Sequence, residues 1–135
     1  MIKEFVDRFE KNKKKLKEIF SQKHPDQYLD IVKAVVVILY NEDDYAGIDP
    51  NRIHEINDGD YQGTLLFVIA DTRYQPSDYW YVKVSYGSCS GCDTLESIKD
   101  YSIEKPNESQ VNDYMTLALH IVQGLKKTEI GEVNE

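Results

Sequence analysis

Two cysteines, Cys89 and Cys92, are the residues of this chain whose type and spacing could most readily do chemistry. They lie three residues apart in the stretch YGSCSGCDTLESI. A Cys-x-x-Cys pair where a strand enters a helix places a thiol at a helix N-terminus, which lowers the thiol pKa. Dithiol oxidoreductases carry such a pair in a βαβ unit, whereas here it follows three predicted strands joined by short turns. Redox catalysis is therefore not the favoured interpretation.

A metal site is the second interpretation of the same pair. Structural zinc takes four ligands, and the two cysteines supply half of them. The sequence holds three histidines, none spaced as an H-x₃₋₅-H pair, and His54 is placed on a predicted strand that could approach the turn. We expect no cofactor, with zinc held by Cys89, Cys92 and His54 as the alternative.

The favoured interpretation of the stretch is a structural turn. Glycine permits backbone conformations with positive φ, small cysteines can pack the corner, and an Asp before the helix can cap it. The residues assigned to this turn are Gly87, Cys89, Gly91, Cys92 and Asp93. No G-x-S-x-G, P-loop or H-E-x-x-H motif occurs in the sequence. We therefore predict that the protein is not an enzyme.

The helices that must position this turn follow from apolar periodicity. Residues 2–22 form an amphipathic stripe, and residues 26–42 predict a largely buried helix. After the cysteine turn, residues 94–101 predict a short helix, and a last helix opens at Asn107. Its apolar residues recur at helical spacing up to Leu125, so this helix is expected to face the core.

The middle of the chain changes to strand periodicity. Three strands are predicted, at residues 52–56, 63–70 and 78–86, separated by turn-rich segments. In the third strand, Trp80 and the alternate residues Val82, Val84 and Tyr86 share the face expected to meet the helices. The fold class is therefore α+β: two N-terminal helices, a three-stranded antiparallel β-meander, and two C-terminal helices packed on one face of the sheet.

The length of 135 residues predicts one domain, residues 1–135, in which residues 128–135 form a frayed tail. No apolar run approaches the roughly 20 residues that span a bilayer, and the first residues lack a signal-peptide pattern. We therefore expect a cytoplasmic protein with reduced thiols that does not bind a membrane.

The charge of the chain is acidic and unevenly distributed. The net charge is −8, yet residues 1–24 carry +4, so the rest carries −12. Residues 41–60 hold seven acids against Arg52 alone. Such a surface repels nucleic acid and attracts basic proteins, although a merely solvated face is the alternative. The predicted partner-binding residues are Glu42, Asp43, Asp44, Tyr45, Asp49, Asp58, Asp60 and Tyr61.

The stretch YGSCSGCDTLESI resembles a strand–turn–helix motif of small uncharacterised proteins of bacteriophages and prophages. The resemblance covers about a tenth of the chain and implies an accessory role in an infected bacterium. We therefore expect a small acidic protein that binds and inhibits or modulates a host protein with a basic surface, without contacting nucleic acid directly. Homodimerisation is left open, and the alternative is a small metal- or ligand-binding protein using Cys89 and Cys92.

Overall fold

Helices pack against one antiparallel sheet in the computed structural model, which describes residues 2–43, 47–57, 63–76, 78–86, 95, 98 and 105–129. The helices bounded within those ranges are α1 (Ile2–Lys11), α2 (Lys13–Gln22), α3 (Tyr28–Leu39) and α4 (Glu108–Gly124). The strands bounded there are β1 (Ile48–Asn57), β2 (Gly63–Asp71), β3 (Asp78–Tyr86) and β4 (Lys126–Glu129). The predicted α+β class is confirmed.

The predicted single helix over residues 2–22 is wrong, because the chain breaks at Asn12 into α1 and α2. Asn12 has φ −107° and ψ 16°, outside the helical range. Its side-chain amide donates hydrogen bonds to the carbonyl oxygens of Arg8, at 3.0 Å, and Ile38, at 3.2 Å. Asparagine readily makes such side-chain-to-backbone bonds at helix ends, and this one also ties the break to α3. The break leaves large apolar side chains of both helices buried: Phe5, Phe9, Leu16 and Phe20.

The helices α3 and α4 are confirmed, with their caps in place. At the start of α3, the Asp30 carboxylate accepts hydrogen bonds from the backbone N–H groups of Asp26, at 2.9 Å, and Gln27, at 3.2 Å. The expected stripe of α4 is buried: Val111, Tyr114, Met115, Ala118, Ile121, Val122 and, just after the helix, Leu125. Of the short helix predicted over residues 94–101, Leu95 and Ile98 are described and helical.

The sheet has the strand order β1-β2-β3-β4, and every neighbouring pair is antiparallel. The three predicted strands are confirmed, and β4 is an addition that the sequence reading missed. The expectation of a frayed tail is wrong for Thr128 and Glu129, which pair with Tyr79 and Asp78. Residues 130–135 lie outside the described part of the chain.

One face of the sheet carries the core. The buried residues of β3 alternate as predicted, at Trp80, Val82 and Val84, and those of β2 are Leu65, Phe67 and Ile69. The helix α3 contacts β1, and α4 contacts β3. Trp80 is 3% exposed and its ring lies 6.2 Å from that of Phe5 on α1, which confirms its predicted place between sheet and helices. None of the described helices is long and apolar enough to cross a membrane.

Candidate functional site

The cysteine turn lies outside the described residues, so its structural and zinc interpretations both stay predictions. This applies to Gly87, Cys89, Gly91, Cys92 and Asp93. The third zinc candidate, His54, is exposed on β1 and pairs with Val68 across the ladder. Within the described ranges, no three His, Cys, Asp or Glu side chains are grouped so that they could hold a metal ion.

Three of the eight predicted partner-binding residues are described, and they differ in surroundings. Glu42 and Asp43 are exposed in the segment after α3. The Asp49 side chain is 15% exposed and accepts hydrogen bonds from the backbone N–H of Asn51, at 2.9 Å, while its other oxygen lies 3.3 Å from Arg52 Nε. Asp49 therefore holds local structure. The other five lie outside the described ranges: Asp44, Tyr45, Asp58, Asp60 and Tyr61.

The strand β1 separates Asp49 from Asn57. Asp49 lies at the start of the strand, and Asn57, which precedes the segment 58–62, lies at its end. At about 3.3 Å per residue the two positions are roughly 25 Å apart. Asp49 and Asn57 therefore lie at opposite ends of β1.

The turn between β2 and β3 is organised by Asp71, whose side chain is completely buried. One carboxylate oxygen accepts a hydrogen bond from the backbone N–H of Arg73 at 2.9 Å. The other accepts from the Arg73 guanidinium, at 2.6 and 3.0 Å, and from the backbone N–H of Asp78 at 3.0 Å. A buried carboxylate is tolerated when it is paired and hydrogen-bonded in this way, and here it fixes both ends of the turn.

Arg52 on β1 stabilises the same turn by hydrogen bonds. Its guanidinium donates to the carbonyl oxygens of Asp71, at 3.1 Å, and Arg73, at 2.6 Å. The backbone N–H of Thr72 donates to the carbonyl of Gly47 at 3.0 Å, which ties the turn to the start of β1. Arg52 is about twenty residues before the turn in the sequence. The turn is therefore stabilised by tertiary contacts as well as by hydrogen bonds between its own residues.

A line of opposite charges continues from the turn to the last strand. The Asp78 carboxylate lies 3.7 Å from Arg73 Nη2 and 3.3 Å from Lys127 Nζ. The same ammonium lies 5.6 Å from the centre of the Trp80 ring, within the range of a cation–π contact. Lys127 therefore fastens β4 to the sheet at the end that carries the turn.

Tyr74 stands at the tip of this turn and is 91% exposed. A second exposed tyrosine, Tyr40 at 43%, directly follows α3. The carbonyl of Gly47 accepts a hydrogen bond from Thr72 in the turn. Asp43 is four residues before Gly47, so the Cα atoms of Asp43 and Gly47 are at most about 15 Å apart. We call this part of the surface the turn end: Tyr40, Glu42, Asp43 and Tyr74.

Tyr74 is not among the eight partner-binding residues predicted from the sequence. The segment DTRYQPSD was recognised as a turn, but the ten tyrosines of the chain look alike in sequence. A tyrosine flanked by turn residues on both sides, rather than alternating with apolar residues, is the signal that could have singled it out.

A buried polar pair joins α4 to the segment after α2. His24 Nδ1 lies 2.6 Å from the Tyr114 hydroxyl, and the two rings meet edge to face. His24 also lines a shallow cavity of about 240 Å³ together with Lys23, Asp26 and Asp30. Both members of the pair are at least nine-tenths buried, so their hydrogen bond serves to satisfy polar groups within the core.

No family model, curated protein or solved structure matches this chain. Its function is therefore argued from its own residues.

Proposed function

We propose that the protein is a non-catalytic binding protein that covers a basic surface of a partner protein with its turn end. The observation that carries the proposal is the 91% exposure of Tyr74 on a turn held by Asp71 and Arg52. Tyrosine offers a large contact area with few side-chain torsions to immobilise, and a turn that is already fixed loses little further entropy on binding. Tyr74 therefore suits the role of an aromatic anchor.

The acids of the turn end supply the charge. Glu42 and Asp43 are exposed, and the chain beyond residue 24 carries −12. Opposite charges on two proteins accelerate their encounter and select against wrong partners, while a desolvated aromatic contributes most to the lifetime of a complex. A partner with a basic groove fits both requirements.

The class of partner follows from the resemblance of the cysteine stretch to phage and prophage proteins. Such proteins act in the cytosol of an infected bacterium, where the nucleic-acid channel of a defence nuclease or of a regulator is a basic groove. An acidic protein that occupies this channel would inhibit or modulate the host protein without itself binding nucleic acid. The alternative, metal or ligand binding at Cys89 and Cys92, depends on residues outside the described ranges and stays a prediction.

The proposal is tested by capture at two salt concentrations. The immobilised chain is incubated with a bacterial lysate at about 0.05 M and about 0.5 M salt, and retained proteins are identified and purified. We expect a protein with a basic surface to be retained at low salt and largely lost at high salt. With the purified partner, Tyr74→Ala and Glu42→Lys/Asp43→Lys should each weaken binding at least tenfold.

The matched control is Glu108→Lys/Asp113→Lys, which changes the net charge by the same amount at exposed positions of α4. It should bind nearly as well as the original chain. If both charge variants lose binding equally, only overall charge matters and the assigned surface is wrong. If Tyr74→Ala and the turn-end charge variant both keep full binding, the turn end is merely solvated.

A further inference from the structure

The face of the sheet opposite the helices is apolar at its centre. The strand register and the alternation of side chains place six uncharged residues on it, here called the outer face: Ile56, Leu66, Val68, Ala70, Tyr79 and Tyr81. Ile56 is 42% exposed and the other five are half-buried. An antiparallel sheet with one solvated face ordinarily alternates apolar inside with polar outside. Here both faces of β2 are apolar, and the described helices cover just one of them.

Charged side chains border this face. His54 lies on β1, Lys83 lies beyond Tyr81 on β3, and Lys126 lies on the edge strand β4. No acid occupies an outer-face position among the paired residues 53–57, 63–71, 78–86 and 126–129. Asp49, at the start of β1, is paired with Arg52. The face is therefore a neutral centre with a basic border on a protein of net charge −8.

The extent of the face fits a modest interface. Four strands about 4.8 Å apart and about 20 Å of strand length give a face of roughly 400 Å², of which the apolar centre on β1–β3 covers roughly 300 Å². Exposed apolar patches of this size on soluble proteins commonly mark interaction sites. A pair of such faces buries roughly 800 Å² in total, below the range of stable specific interfaces, which predicts a weak and reversible complex.

We propose that a second copy of the chain covers the outer face, forming a two-fold symmetric dimer. The pairing of β2 with β3 makes the face self-complementary. The smaller Val68 and Ala70 on β2 lie beside the larger Tyr81 and Tyr79 on β3, at the same levels along the strands. A two-fold axis parallel to the strands and between β2 and β3 sets each tyrosine row over the small row of the other copy.

The charged border is compatible with this arrangement. At the level of Leu66, the axis sets Lys83 of one copy over Leu66 of the other, where its aliphatic stem can cover the apolar side chain. Lys126 of one copy then lies across from His54 of the other, at the solvated edges of both sheets. Two sheets packed face to face lie about 10 Å apart, which the interdigitated side chains fill.

Sedimentation velocity over a range of concentrations tests the proposal. The mass is expected to rise from monomer to dimer as the concentration increases from about 1 µM to about 1 mM, the range in which a small interface associates. Because two copies of charge −8 repel each other, raising salt to about 0.5 M should strengthen the dimer. The turn-end complex responds to salt in the opposite sense, so each proposal can fail without the other.

Two variants locate the interface. Val68→Glu places a charge at its centre, and Tyr81→Thr removes an aromatic ring while keeping a residue suited to strands. Each should weaken dimerisation at least tenfold, with the native emission of Trp80 confirming the fold. Tyr74→Thr removes an exposed tyrosine elsewhere and should leave the dimer unchanged. A chain that is monomeric throughout, or a dimer insensitive to the folded variants, would overturn the proposal.

Discussion

Asp71 is the single side chain on which the geometry of the β2–β3 turn most depends. It is buried without exposure and joins Arg73 to the backbone of Asp78. These bonds fix the turn that carries Tyr74 at the end of the sheet. The turn end thus depends on a residue that no partner would touch.

Replacing Asp71 with alanine is expected to lower the free energy of unfolding by about 3 kcal/mol. This is the lower end of the range for breaking a buried charge pair, because the Arg73 side chain is 27% exposed and can turn towards water. Urea unfolding followed by the emission of Trp80 measures the change. The matched control, Asp113→Ala at an exposed position of α4, should alter stability by less than about 0.5 kcal/mol. Equal effects of the two substitutions would show that Asp71 is not a structural centre.

At the residue scale, the charge pattern agrees with the exposure of two acids, whose partner-binding role stays a prediction. The exposed acids Glu42 and Asp43 are where the charge pattern predicted them. Asp49 was assigned the same role from charge alone, but it binds Arg52, and Arg52 in turn supports a turn about twenty residues away. Sequence spacing does not reveal such tertiary bonds, and it cannot separate buried from exposed tyrosines.

At the scale of elements, the start of α4 is defined by a reciprocal cap. The Asn107 side chain accepts from the backbone N–H of Gln110 at 2.8 Å, and the Gln110 side chain accepts from the backbone N–H of Asn107 at 3.0 Å. Gln110 also donates to the carbonyl of Ile98 at 3.0 Å, linking the helix to the segment before it. The cap therefore defines the first residue of α4 and ties the helix to the segment that precedes it.

Asn107→Ala is expected to destabilise the protein by about 1 kcal/mol, the usual effect of removing an N-cap side chain. Asn112→Ala, inside the same helix and exposed, is the matched control, because alanine there favours the helix slightly. The unfolding midpoint in heat or urea should therefore fall for Asn107→Ala and rise slightly for Asn112→Ala. A shift of the same sign and size in both would contradict the capping role.

Long periodic elements were predictable and short or interrupted ones were not. α3, α4 and β1–β3 follow from stripes and alternation, since their burial repeats over several turns or residues. β4 has four residues, Lys-Lys-Thr-Glu, and no apolar alternation. It is held by backbone pairing and by the contacts of Lys127, none of which leaves a pattern in sequence. The break at Asn12 depends likewise on a bond to α3.

At the scale of the whole molecule, the two proposed surfaces lie on different parts of the fold. The turn end projects from one end of the sheet, and the outer face covers its side. With a two-fold axis parallel to the strands, both turn ends of the proposed dimer point the same way. Such a dimer would present two anchors to one target, and linked binding sites of this kind hold a partner far longer than either alone.

Trp80 has neighbours from both extremities of the described chain. The Phe5 ring of α1 lies tilted against the Trp80 ring, and Lys127 of β4 lies over the same ring. The first and last described elements, α1 and β4, thus meet at one side chain. Proteins with neighbouring ends often tolerate circular permutation. A permutant in which a Gly/Ser linker joins Glu129 to Ile2, and which is opened between Asn57 and Gly63, should fold with native Trp80 emission. One opened between Val35 and Val36, in the buried helix α3, should not fold.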